Sequence, residues 1–130
     1  MATHCTTTLK STAPLSIQKE GRVFARVAED VLGLSYELTI VFIGDTFSKR
    51  LNTTYRDKHK STNVLAFPLS KTSGELYINI PCARREAARF ESTILEHVHF
   101  LFIHGLLHLK GYDHSPTMEH LEQQYMKKYF

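Results

Sequence analysis

The chain has 130 residues, 42% apolar and 22% charged, which suits one domain with a modest core and argues against disorder. No window approaches the roughly 18 consecutive apolar residues of a membrane-spanning helix, and the opening "MATHCTTTLK" lacks the apolar stretch of a secretory signal. The net charge of +3 is unevenly spread: residues 49–89 hold nine Lys/Arg against three Asp/Glu, and the remainder holds seven against ten.

Such a one-sided basic segment suits a phosphate-rich partner or a solvated charged face. With only Cys5 and Cys82, free thiols in a reducing cytoplasm are expected rather than a disulfide.

In chain order, residues 3–9 read as a short strand. From Pro14 to Leu32 the pattern is helical, with Phe24, Val27, Ala28 and Val31 at i, i+3, i+4 and i+7 and Gly33 as the stop. "YELTIVFI" (36–43) alternates, but Val41 and Ile43 make its second face apolar too, so the strand is expected to be covered on both sides. Gly44 and Asp45 then open a helix over 46–57 that is expected to bury Phe47, Leu51 and Tyr55. "NVLAFP" (63–68) reads as a strand stopped by Pro68, and "ELYINI" (75–80) as its antiparallel hairpin partner. A short helix follows from about Pro81 to Phe90. Thr93 and Glu96 have capping-box spacing, so a new helix starts there and runs to about Lys110, where Gly111 permits a left-handed exit. Ser115-Pro116 reads as an N-cap with proline at the first helical position, opening the last helix. The sum is α/β, bordering on α+β: a small mixed sheet of three to four strands packed by about five helices.

The chemistry concentrates in "HGLLHLKGYDH" (104–114). His104 and His108 lie one turn apart, so both imidazoles project from one helix face. Gly111 lets the chain turn back and return His114 to that face. Three imidazoles leave a tetrahedral position open, which marks a catalytic rather than a structural zinc site; nickel, copper or iron also suit imidazole. The spacing is that of the metzincin proteases, except that Gly105 stands where the protease has its glutamate base. That glycine either leaves room for a bulky substrate or allows close helix packing. Phosphodiester cleavage depends less on such a base, because a metal can hold a phosphoryl oxygen and lower the pKa of a water toward ~7. It does need a cation to offset the developing negative charge. Asp113 is either an acceptor for an imidazole N–H or an ordinary turn carboxylate. Tyr112 either stacks on a base or packs against the turn, and Tyr55 and Phe67 read first as core. His97, two turns before His104, is too far from it to share the metal and reads as a core or rim histidine. His4, His59, His99 and His120 are likewise not assigned to the metal.

"HGLLHLKGYDH" resembles the hallmark H-G-x-L-H-L-x-G-Y-D-H of the YbeY-type endoribonucleases, the bacterial rRNA maturation factors, and fits it at every fixed position. "LNTTYRDKHKSTNVLAFP" (51–68) resembles that family's L-N-x-x-Y-R-x-K-x-x-x-T-[DN]-V-L-[SA]-F-P, and "GELYIN" (74–79) its following strand, with Glu75 where Asp is usual. The resemblance implies a single α/β domain over 1–130. It implies one divalent metal, usually zinc, held by His104, His108 and His114, with Arg56 lining the cleft. It also implies hydrolysis of single-stranded RNA in the cytoplasm, in 16S rRNA 3′-end maturation and ribosome quality control, with ribosomal partners possible. On the residues alone, Arg56 is suited to grip a phosphate bidentately or is a plain surface arginine. Lys58, Lys60, Arg84, Arg85 and Arg89 are the candidates for an RNA track. The rival expectations are a metalloprotease lacking its glutamate, and a non-catalytic ribosome-associated module that the metal only braces.

Overall fold

Seven residues of alternating burial, Glu37–Ile43, form the strand around which the molecule is built. The computed structural model describes residues 6–11, 20–56 and 62–130. In chain order these form β1 (Thr6–Ser11), α1 (Gly21–Leu32), β2 (Glu37–Ile43), α2 (Asp45–Arg56), β3 (Val64–Ser70), β4 (Ser73–Asn79), α3 (Ile80–Arg89), α4 (Ile94–Lys110) and α5 (Pro116–Tyr129). The four strands make one mixed sheet in the order β1-β2-β4-β3. β2 pairs in parallel with β1 and β4, and β3 closes the sheet as an antiparallel edge. With the five helices this is the α/β arrangement expected from the pattern.

Leu38, Ile40 and Phe42 of β2 and Leu76 and Ile78 of β4 point to one face, where α1 and α4 cover them. α1 contributes the apolar stripe expected of it, Phe24, Val27, Ala28 and Val31, all essentially inaccessible to solvent. Phe102 of α4 meets Phe24 edge-on at 4.5 Å and joins the two helices. α2 lies across the opposite face, where Phe47 stacks on Tyr77 with centroids 6.2 Å apart. β2 is flanked by β1 and β4, and on its second face Ile43 is buried and Val41 half-buried.

Three helix boundaries match their chemistry. Thr93 caps α4 by accepting from Glu96 N–H at 3.1 Å, Gly111 ends it at φ 108°, and Ser115 caps α5 with Pro116 at the first turn. The expected first strand is seen over Thr6–Ser11 and the expected first helix over Gly21–Leu32, while residues 3–5 and 14–19 of those expectations lie outside the described residues. Two expectations need correcting. Pro68 does not stop β3, which runs on to Ser70 through an irregular register. On an edge strand the missing N–H of proline can face away from the ladder, so continuation costs little. Finally, α2 buries Ser48 and Asn52, not Phe47 and Tyr55, which remain 36% and 66% exposed. The reason is polar: Ser48 Oγ accepts from Thr62 N–H and donates to Thr62 C=O, both at 3.0 Å. The backbone entering β3 is thereby satisfied by the face of α2 that turns toward it. Phe67 is only half-buried, its ring edge-on to Tyr55 at 5.3 Å.

Candidate metal centre and cleft

The helical spacing of His104 and His108 and the return turn after Gly111 bring three imidazoles into one cluster. One ring nitrogen from each of His104, His108 and His114 lies within 4.8 Å of the others, so the three could hold a metal ion. The nearest pair, His104 Nε2 and His108 Nε2, are 3.1 Å apart. Two nitrogens on one tetrahedral zinc, each at 2.0–2.1 Å, are separated by about 3.3 Å.

The far side of each ring fixes what the near side can be. His104 Nδ1 lies 3.1 Å from the Glu122 carboxylate, and His108 Nδ1 lies 3.0 Å from the Tyr112 carbonyl. Both of those oxygens accept, so both Nδ1 atoms donate. In the neutral rings both Nε2 atoms then carry bare lone pairs that face each other, which is unfavourable unless a proton or a metal ion lies between them. Burial, followed by the neighbouring His104, pushes the pKa of His108 below its ordinary value, which favours the neutral, ligating form. The donor set thus fits a divalent metal.

These imidazoles line one wall of a cleft of about 720 Å³. Thr62 and Asn63, which lead into β3, with Val64 and Ala66 of β3 form the facing wall, and Arg56 at the end of α2 also lines the cleft. Arg56 is exposed and has no ion-pair partner among the described residues. The facing wall is held from behind: Asn79 N–H donates to Asn63 C=O at 2.9 Å, and Asn79 Nδ2 donates to Thr62 C=O at 3.1 Å and to Asp45 at 2.9 Å.

Gly105 resolves toward packing. A Cβ built there would lie 2.7 Å from Leu76 Cδ2 and 3.2 Å from Val64 Cγ2. The position is pressed against the sheet, and this close approach brings α4 and its histidines up to the β3 wall.

Asp113 lines the cleft, but the acceptors for the imidazole N–H groups are Glu122 and Tyr112 C=O. Tyr112 packs its ring against the core. Arg85 is tied to Asp45 through two contacts of 2.9 Å, whereas Arg84 and Arg89 are exposed on α3. Lys58, Lys60, His4, His59 and Cys5 lie outside the described residues. His97 is buried against Glu86 at 2.9 Å and His99 against Glu20 at 3.3 Å, while His120 is exposed. Cys82 is a free, partly buried thiol whose pKa burial raises. A depression of similar size, about 730 Å³, lies beside α5 and holds no cluster of metal-ligating side chains among the described residues.

Sequence reasoning missed Glu122, which is 5% exposed and is the key support of His104. It stands one turn after the fully buried Met118, on the inward face of α5, a placement that only the packed structure reveals.

A family model described as endoribonuclease YbeY matches residues 7–129. Proteins named endoribonuclease YbeY are similar to this chain: one from Polynucleobacter asymbioticus is 38% identical over 104 residues, covering 73% of this chain and 67% of its own. One from Alteromonas mediterranea is 41% identical over 100 residues, covering 71% and 63%, and one from Allorhizobium ampelinum is 36% identical over 117 residues, covering 83% and 66%. The matched part of the chain thus spans about two thirds, or slightly less, of the length of these curated relatives. The solution structure of TM1509 from Thermotoga maritima has the same fold, with a TM-score of 0.70 at 23% identity over 94% of this chain and 87% of that one.

Proposed function

The chain belongs to the YbeY family of endoribonucleases, and on that premise we propose that it is a single-domain, metal-dependent endoribonuclease that cuts single-stranded RNA. The observation that carries this reading is the pair of Nε2 atoms left facing each other because Glu122 and the Tyr112 carbonyl occupy the other ring nitrogens. They face a cleft that Arg56 also lines, exposed and without an ion-pair partner among the described residues.

His104, His108 and His114 are the proposed ligands, and three imidazoles with an open position favour zinc. Bound there, the ion supplies Lewis acidity toward a water or a phosphoryl oxygen. Arg56 places a permanent positive charge where the phosphoryl group gains negative charge, and its planar fork suits two phosphate oxygens. Asp113 is the carboxylate in the cleft able to take or return a proton; the substrate 2′-OH is the other proton route. Lys58, Lys60, Arg84 and Arg89 extend the phosphate track. Arg85, held by Asp45, is proposed only as its edge.

The family resemblance and the basic segment support an rRNA precursor as substrate, acting in the cytoplasm at 16S rRNA 3′-end maturation with small-subunit partners. No helix among the described residues is long and apolar enough to cross a membrane. Nothing favours the protease reading, since the position of its glutamate base faces Leu76 and Val64.

On a precursor-rRNA fragment, Arg56→Ala is expected to lower kcat by about 10²–10³-fold, the usual cost of one charge-stabilising donor, with metal content unchanged. His114→Ala is expected to lose metal and activity together. Undiminished metal-dependent cleavage by both variants would remove the proposed chemistry.

A further inference from the structure

Four rings form a row along α4 that ends on the metal cluster. Phe90, the residue that ends α3, stacks on His97 with centroids 5.9 Å apart and planes 24° apart. His97 meets Phe100 at 5.8 Å and 30°, and Phe100 meets His104 at 6.2 Å and 32°. Each ring is tilted only modestly from the next.

The two phenylalanines of the row are not core, although His97 between them is buried. Phe90 is 69% exposed and Phe100 36%, while Phe24, Phe42 and Phe102 are fully buried. Nor is the row loose. His97 Nε2 is held by Glu86 at 2.9 Å, and Glu86 accepts from Asn63 Nδ2, a residue of the facing cleft wall, at 3.3 Å. The middle ring is therefore fixed, and the two phenylalanines pack against it. Phe100 and His104 are one turn apart on one helix.

We propose that this row is a base-stacking subsite of the cleft, which takes unpaired nucleobases flanking the phosphodiester at the metal cluster. This rests on the RNA reading above and adds where the bases go. A phenyl ring has no hydrogen-bonding edge, so it accepts any base by its π-face, which suits a single strand held without strict sequence choice. Arg89 beside Phe90, and Arg84 on the same helix, are exposed and carry no ion pair among the described residues. Glu91 and Glu96 offset them, so stacking rather than charge dominates here. Continuity with the cluster, through the contact of Phe100 with His104, favours the nucleic acid over a protein partner or a second copy of the chain.

The test is single-turnover cleavage of a short unstructured oligoribonucleotide, together with versions carrying one abasic ribose at each position in turn. At positions next to the scissile bond, the abasic ribose is expected to raise the half-saturating enzyme concentration about 5- to 100-fold, the range for losing one base–aromatic stack. Phe100→Ala should raise it comparably on the intact oligonucleotide, and the two changes together should cost no more than either alone. Phe100→Trp should restore tight binding. Should Phe100→Ala not fold, the abasic scan on the wild-type protein and Phe90→Ala decide the matter. A flat abasic scan overturns the proposal, as do additive losses. So does a Phe90→Ala variant that turns a dimer into a monomer with the half-saturating concentration unchanged. Wild-type protein that cleaves no oligoribonucleotide removes the RNA reading itself, and this subsite with it.

Discussion

At the scale of single residues, Gly105 and Glu122 decide most. Restoring the protease glutamate at Gly105 does not restore a protease, because the Cβ direction leads into Leu76 and Val64. Gly105→Ala adds one methyl to a close contact, an overpacking cost of about 1–3 kcal/mol, and regains about 1 kcal/mol of helix propensity. Urea unfolding is expected to show a net loss of about 0–2 kcal/mol. Gly105→Glu, which presses a charge against fully buried Leu76, should lose well beyond that. Equal stability of the two variants would show that α4 can move away from the sheet freely. Glu122 acts through His104. Glu122→Ala is expected to weaken metal affinity about 10- to 100-fold in a competition titration, the usual cost of removing such a support, while Glu122→Gln, which keeps an acceptor oxygen, loses less. The histidines were legible in the sequence because three ligands at helical and turn spacing form a local pattern. Glu122 was not, because its role depends on the angle at which α5 returns, which no spacing encodes.

At the scale of elements, capping chemistry was readable and facing was not. Thr93, Gly111 and Ser115 act within a few residues of their own helix ends, so local sequence sets those boundaries. α2 misled because its apolar residues suggested the buried face, whereas the backbone of Thr62 required Ser48 there. β3 misled because proline reads as a stop without knowledge that the strand is an edge. α4 also carries a pH-sensitive contact. His99 lies between Phe24 and Phe130, and burial holds its pKa below 6.5 against the opposing pull of Glu20. The unfolded chain therefore binds more protons below about pH 6.5, so this contribution is complete above that pH and is lost as pH falls. Urea midpoints should drop between about pH 7 and pH 5.5, with a smaller drop in His99→Gln. An identical drop in both proteins would place the titration elsewhere. The ion pair of Asp30 with Lys128 acts in a lower window: hydrogen bonds from Lys128 and Tyr129 lower the Asp30 pKa from 3.8, so its contribution is lost only in stronger acid.

At the scale of the whole molecule, the two walls of the cleft come from different parts of the chain. One is the α4–α5 hairpin with its turn, and the other is the edge strand with the end of α2. A metal that binds only the folded state stabilises it by about 2.7 kcal/mol at a hundredfold excess over Kd. Zinc is therefore expected to raise Tm, a chelator to reverse the rise, and His114→Ala to be indifferent to both. A rise of equal size in His114→Ala would place the ion at another site. The sheet order was out of reach from sequence, since β2 and β4 pair in parallel across an intervening helix and strand. The three candidate ligands and Glu122 all fall within residues 104–122, a short chain separation whose closure costs little entropy. The Arg56 wall exists only after long-range strands have paired. On the proposed reading, a nascent chain is expected to capture its ion before the second wall of the cleft has assembled, so that metal loading precedes activity in time.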